Sequence, residues 1–273
     1  MIPSSFEYRR ASSLAEAITM LGEGGDDAKL LAGGHSLLPL MKLRLASPTV
    51  LVDIGRLREL SYVRDGGDHL AVGALTRHAD VHNSDVVGRE VPLLAHVAGQ
   101  IGDPQVRHRG TIGGSIAHGD PASDLPAVCL ALRATLLLAG PSGERQVPAI
   151  EFFTGFLETA LARDEVLTEI RFPKLGGARW SFQKFNVRAQ DWAIVGVAAV
   201  RNGSAGVALV NMADRPVLAT GVEAALAAGA SPEEAAAHAS DGLEPPSDVR
   251  ASGEYRRHLA TVLVRRALEE AGA

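Results

Sequence analysis

The sequence predicts an α+β protein of two domains, with the break near residue 173. Two observations carry this. Up to Pro173, short apolar strands alternate with helices that open on capping residues and close on glycine. The turn-rich "KLGGA" then interrupts the alternation, and three strands follow one another before the chain ends in Ala-rich helical stretches. A chain of 273 residues is long enough for two modest cores. The expected division is 1–173, with subdomains of about 1–55 and 56–173, and 178–273.

The elements follow in order. Ser13 and Glu16 have capping-box spacing and predict a short helix ending at Gly22. "AKLLAG" is a strand running into a Gly pair, after which Ser36 is placed to cap a helix that tolerates Pro39 in its first turn. "TVLVDI" (49–54) and "HLAVGAL" (69–75) read as strands, Val91–Gln100 as a helix, and Asp124 opens another to about Leu132. "ATLLLAG" and "ERQVPA" pair across a Pro-Ser-Gly turn. Beyond the break, "RWSFQKFNV", "WAIVGVAAV" and "GVALVNM" make a three-stranded antiparallel sheet, its last two strands joined at Asn202-Gly203. Segments 220–239 and 255–271 pack as helices around "LEPPSD".

Composition excludes several classes of function. A net charge of −5 without a basic run repels a nucleic acid, and Cys129, the only cysteine, can form neither an intrachain disulfide nor a thiolate-ligated cluster. The longest apolar stretch, "AVCLALRATLLLA", is broken by Arg133 and falls short of the ~20 residues that span a bilayer. "MIPSSFEYRR" lacks a signal-peptide core, so the expectation is a soluble cytoplasmic protein.

The chemistry concentrates in "LAGGHSLLP" (31–39) and "TIGGSIAHGDPASDLP" (111–126). Glycine lets a backbone approach a ligand closely, and successive N–H groups in a turn form a concave anion site. Two such turns, Gly33-Gly34 and Gly113-Gly114, would cradle one pyrophosphate, helped by the hydroxyls of Ser36, Thr111 and Ser115. The competing reading is that both pairs only permit tight turns. His35 and His118 flank these turns as ligand contacts or as solvated loop histidines. Asp120 reads as a turn residue and Asp124 as a helix cap; beside a pyrophosphate, either serves only by accepting bonds from sugar or ribityl hydroxyls. "GEGGDD" lacks the third glycine of a dinucleotide fingerprint, no Gly-Lys-Ser/Thr occurs, and Leu38 stands where a nucleophile elbow needs glycine.

These loops resemble those of the flavin-binding medium subunit of the molybdenum hydroxylase family, a vanillyl-oxidase-like (PCMH-type) fold. Its first loop stands here as Ala32, Gly33, Gly34, His35, Ser36, Leu37 and Pro39, with Leu31 just before it as a further candidate flavin contact, and its second as Thr111, Ile112, Gly113, Gly114 and Ser115. The likeness runs from "MIPSSFEY" to "EYRRHLATVLVRRA", and among the branches looks most like the medium subunit of aerobic carbon monoxide dehydrogenase.

The resemblance implies FAD as cofactor, with molybdenum cofactor and [2Fe–2S] clusters confined to a large and a small partner chain, usually as a dimer of heterotrimers. It implies electron transfer from the clusters through FAD to an external acceptor such as quinone, and leaves room for peripheral attachment to the membrane through the complex. It also implies that Lys184 lies near the flavin, where a cation favours the reduced ring, and that Trp192 lies against the ring where relatives often carry tyrosine. The alternatives are a medium subunit serving an N-heterocycle, an aldehyde or an aromatic acid, a free-standing flavin oxidoreductase, and a scaffold that has lost its flavin.

Overall fold

A computed structural model describes residues 2–202 and 204–272. The strands are β1 (Glu7–Arg10), β2 (Ala28–Leu31), β3 (Val50–Asp53), β4 (Val63–Asp65), β5 (His69–Gly73), β6 (Thr135–Gly140) and β7 (Gly143–Pro148). Then come β8 (Phe153–Gly155), β9 (Glu158–Thr159), β10 (Val166–Pro173), β11 (Arg179–Phe185), β12 (Val195–Asn202), β13 (Ser204–Val210) and β14 (Val217–Leu218). They form a small sheet of order β1-β3-β2, a larger one of order β4-β5-β10-β6-β7, a third of order β11-β12-β13-β14, and the β8-β9 ribbon. The first sheet is parallel; the larger two are antiparallel. The three strands expected after the break pair as read, and the two-residue β14 adds a fourth. The Asn202-Gly203 turn falls partly outside the described residues, but its flanking strands pair in the register of a hairpin.

The first helix, Leu14–Gly24, runs past Gly22, where a short sequence-based helix would have stopped. Its capping is shifted by one residue. The Ser13 hydroxyl accepts from the Glu16 backbone N–H at 3.2 Å, but the Glu16 carboxylate turns back to Ser12, taking its N–H at 2.6 Å and its hydroxyl at 2.5 Å. At the first glycine loop, helix Leu37–Lys42 forms with Ser36 at its N-cap position, yet the Ser36 side chain makes no capping bond. Helix Asp124–Ala131 has Ser123, not Asp124, at its N-cap position.

Three cores hold the layers together. One lies between the first sheet and helix Leu14–Gly24, with Ala17, Leu21, Val50 and Val52 buried. The largest wraps helices Pro92–Gly99 and Asp124–Ala131, joining Leu136, Leu138 and Ile170 of the second sheet to Ala198, Val200 and Ala208 of the third. The third faces helix Gly253–Glu270 through Val197, Ala199 and Leu209. Alternate residues of β12 thus enter different cores, which is why "AIVGVAAV" reads as an unbroken apolar run. Gly206 of β13 is required for this arrangement. A Cβ there would overlap the Ala131 carbonyl oxygen, so its absence lets the end of helix Asp124–Ala131 lie directly on the third sheet. Among the described residues, no helix is long and apolar enough to cross a membrane.

Candidate FAD site

A cavity of about 800 Å³, in the size class of cofactor sites, opens where the first sheet, the second sheet and the start of the third meet. Both glycine motifs border it, with Leu31, Ala32, Gly33, Gly34, His35, Ser36 and Leu37 on one side and Thr111, Gly113, Gly114, Ser115 and His118 on another. Asp124, Lys184 and Trp192 complete the wall. Two expected contacts fall elsewhere. Ile112 is fully buried in the main core, and Asp120 lies off the wall, where its carboxylate accepts from the Ala122 N–H at 2.8 Å and shapes the turn.

The two Gly pairs meet different needs. Gly34 has φ +77°, which glycine adopts without strain, and it turns the chain from β2 into the next helix. A Cβ on Gly33 would overlap the Arg109 carbonyl oxygen and stand 2.8 Å from Gly110 Cα, so the first loop rests on the backbone that leads into the second. Among the described residues, the N–H groups of Gly33, Gly34, His35 and Ser36 have no acceptor in the protein. They are the unspent donors that an anion site requires.

The second motif is not a turn. Gly113 and Gly114 sit in the first turn of helix Ile112–His118, whose N-cap is Thr111. Its early N–H groups are committed: Ile112 to Thr76 O at 2.9 Å, Gly113 to Ala74 O at 2.8 Å, Gly114 to Thr111 Oγ1 at 3.2 Å and Ser115 to Thr111 O at 3.1 Å. Gly113 is a packing glycine, because any Cβ would collide with Ala74. The expected pair of cradling turns is therefore one donor-rich loop facing a helix start whose backbone is already satisfied.

At the other end of the cavity, Lys184 Nζ donates to Asp124 Oδ2 at 2.7 Å, with both side chains under a tenth exposed. Burial pushes the Asp124 carboxyl up, against the downward pull of the Lys184 charge. Its Oδ1 is buried without a hydrogen-bond partner, an unmatched acceptor just behind the cavity wall that a ligand hydroxyl reaches only when neighbouring side chains give way. Lys184 does not point to water as an ordinary strand lysine would. Trp192 is 51% exposed beside the cavity. His118 is half-buried, and burial pushes its imidazole down against the opposing influence of Asp120.

Sequence reasoning missed His78, which borders the cavity at 4% exposure. Burial pushes its pKa down to about 4, with the charges of His35 and Arg107 acting in the same direction. An unfolded histidine takes its proton near 6.5, so between ~6.5 and ~4 the unfolded flavin-free chain binds more protons than the folded one. The corresponding stability is full above ~6.5 and is lost as pH falls toward ~4, by about 3 kcal/mol. Urea unfolding at about pH 7.5 and about pH 4.5 should show this loss reduced by that amount in His78→Phe. An identical acid loss in both proteins would mean that the fold does not depress the His78 pKa.

The residues present fit a flavin dinucleotide: free backbone donors for a diphosphate, an orphaned carboxylate oxygen for a hydroxyl, a fixed cation, and apolar wall residues Leu31, Leu161 and Leu167. Comparison with known proteins agrees. The chain belongs to the family described as "FAD binding domain in molybdopterin dehydrogenase", which it matches over residues 4–175. Residues 180–271 match the CO dehydrogenase flavoprotein C-terminal domain. It is thus an FAD-binding oxidoreductase subunit of the molybdenum hydroxylase type.

Among its relatives is the carbon monoxide dehydrogenase medium chain of Hydrogenophaga pseudoflava, 44% identical over 100% of this chain and 99% of that one. The glyceraldehyde dehydrogenase medium chain of Sulfolobus acidocaldarius is 41% identical over 99% of each. The solved carbon monoxide dehydrogenase of H. pseudoflava superposes with a TM-score of 0.95 at 45% identity, covering 99% of this chain and 98% of that one. Quinoline 2-oxidoreductase of Pseudomonas putida 86 superposes at 0.91 with 34% identity, covering 99% and 98%.

Proposed function

We propose that this chain carries electrons within a carbon monoxide dehydrogenase assembled from three kinds of subunit, taking them from [2Fe–2S] clusters on a small chain and delivering them to an external acceptor such as quinone. The substrate is oxidised on a large molybdenum chain, and the assembly is a dimer of heterotrimers. The observation that carries this reading is the end-to-end likeness to medium chains of carbon monoxide dehydrogenases, together with a cavity that meets the needs of a flavin. The division into a flavin-binding part, 1–173, with subdomains of about 1–55 and 56–173, and a second part, 178–273, belongs to the same proposal. The separate sheets on either side of residue 173 support it.

FAD, when bound, accepts electrons singly and releases them in pairs. The chain's own residues bind and tune it. Gly33 to Ser36 present N–H groups to the diphosphate, with the Ser36, Thr111 and Ser115 hydroxyls beside them. Asp124 Oδ1 accepts a hydroxyl of the ribityl chain. Asp124 Oδ2 holds the Lys184 ammonium in the wall, so a positive charge is in place before any electron arrives and needs no reorganisation. Trp192 shields one side of the entrance and governs approach of the acceptor.

The test compares the chain alone with the chain assembled with its partner subunits. Carbon monoxide should bleach the visible flavin absorbance of the assembly anaerobically and leave the chain alone unchanged. Bleaching by quinoline or nicotine instead would support the N-heterocycle reading. Substrate oxidation by the chain alone would establish a self-contained flavin oxidoreductase.

A further inference from the structure

We propose that His78 is a further binding residue of this site, an uncharged imidazole that donates a hydrogen bond from Nε2 to a phosphate oxygen of the bound dinucleotide. The inference rests on the FAD reading above and adds a donor that neither glycine motif supplies.

The position of the ring is fixed from several sides. The His78 backbone N–H donates to Gly110 O at 3.0 Å, and the preceding Arg77 bridges Thr111 in antiparallel fashion. The ring lies against Gly110, where an added Cβ would come within 2.8 Å of Cδ2 and 2.9 Å of Nε2. Gly110 is also the residue on which Gly33 rests. The Nε2 edge therefore lies at the junction of the two motifs, on the side of the cavity that holds the unspent N–H groups of Gly33 to Ser36.

The hydrogen-bonding pattern assigns the tautomer. Nδ1 is sealed from solvent and has no partner, whereas Nε2 is not among the sealed atoms. A proton on Nδ1 would be a buried donor without an acceptor, a rarer and costlier defect than an unmatched lone pair. The proton therefore sits on Nε2, at the cavity edge. Burial keeps the ring neutral through the physiological range. A neutral Nε2–H can only donate, and the loop N–H groups beside it also only donate, so a ligand group that meets both must be an acceptor. The diphosphate is the part of a flavin dinucleotide that meets this description.

The experiment uses the full chain in its assembly, stripped of flavin and titrated with FAD and with riboflavin, which lacks phosphate. His78→Phe should raise the FAD Kd by about tenfold, the worth of one hydrogen bond to a charged group, while changing riboflavin affinity by less than about twofold. His78→Gln, which keeps an N–H donor, should recover part of the loss. Nitrogen-15 NMR of the wild-type protein should show a neutral Nε2–H tautomer whose signal shifts on FAD binding and not on riboflavin binding. An FAD Kd unchanged in His78→Phe, an equal loss for both flavins, or an Nδ1–H tautomer would each overturn the proposal while leaving the FAD reading intact. Failure of the wild-type protein to take up FAD would overturn both. Should His78→Phe not fold, the glutamine variant and the tautomer decide.

Discussion

Replacing Lys184 with methionine should cost the chain about 3–5 kcal/mol of stability, because it strands the Asp124 carboxylate in a site with almost no access to water. Removing one partner of a buried pair leaves an uncompensated charge, whereas removing both in favour of apolar groups is often neutral. Lys184→Met combined with Asp124→Leu should therefore recover most of the stability in urea unfolding. The same single variant should lower the flavin midpoint potential and slow turnover, since the cation that favours the reduced ring is gone. The double variant removes both charges of the pair and the Asp124 oxygen assigned to the flavin, so it reports on stability alone, and the potential is read from the single variant. Lys184→Met as stable as the wild type would show that the buried pair contributes little to the fold.

Gly33→Val should empty the site. Its side chain must displace the backbone at Arg109 and Gly110, and this lifts the loop whose four consecutive N–H groups are the main donors. Losing two of them at about 1–3 kcal/mol apiece weakens FAD by about thirtyfold or more. Gly114→Ala is the contrasting case. Its Cβ would approach only Thr111 Oγ1, at 2.7 Å, and the N–H of Gly114 is already committed to that oxygen, so the expected loss is about tenfold or less. Flavin content and Kd of the two purified variants measure the difference. A folded Gly33→Val with full flavin would mean that the loop's donors do not hold the diphosphate.

Much of the fold was legible because the features that determine it are local. Alternation, capping residues and turn dipeptides placed β2, β3, β5, β6 and β7 and the main helices within a few residues, and the glycine motifs located the cavity. What escaped depends on residues far apart in the chain. Gly33-Gly34 and Gly113-Gly114 look alike as dipeptides; they differ in whether Ala74 and Thr76 lie within reach of their N–H groups. Asp124 has the position of a helix cap, but Ser123 takes that place and the carboxylate turns to a lysine 60 residues on. His78 carries no local mark. It reads as one histidine among nine until burial and an unmatched ring nitrogen set it apart. β14 is too short for any periodicity to show.

The Asp124–Lys184 pair also sets an order for biosynthesis. At about 5–20 residues per second, a ribosome adds the lysine, 60 positions on, ~3–12 s after the aspartate. Throughout that interval the nascent chain holds a carboxylate destined for burial without the charge that compensates it, so the aspartate stays hydrated and helix Asp124–Ala131 cannot seat fully. Both glycine loops precede Lys184 in the chain, so the wall they share with it is complete only once the first strand of the third sheet has been made.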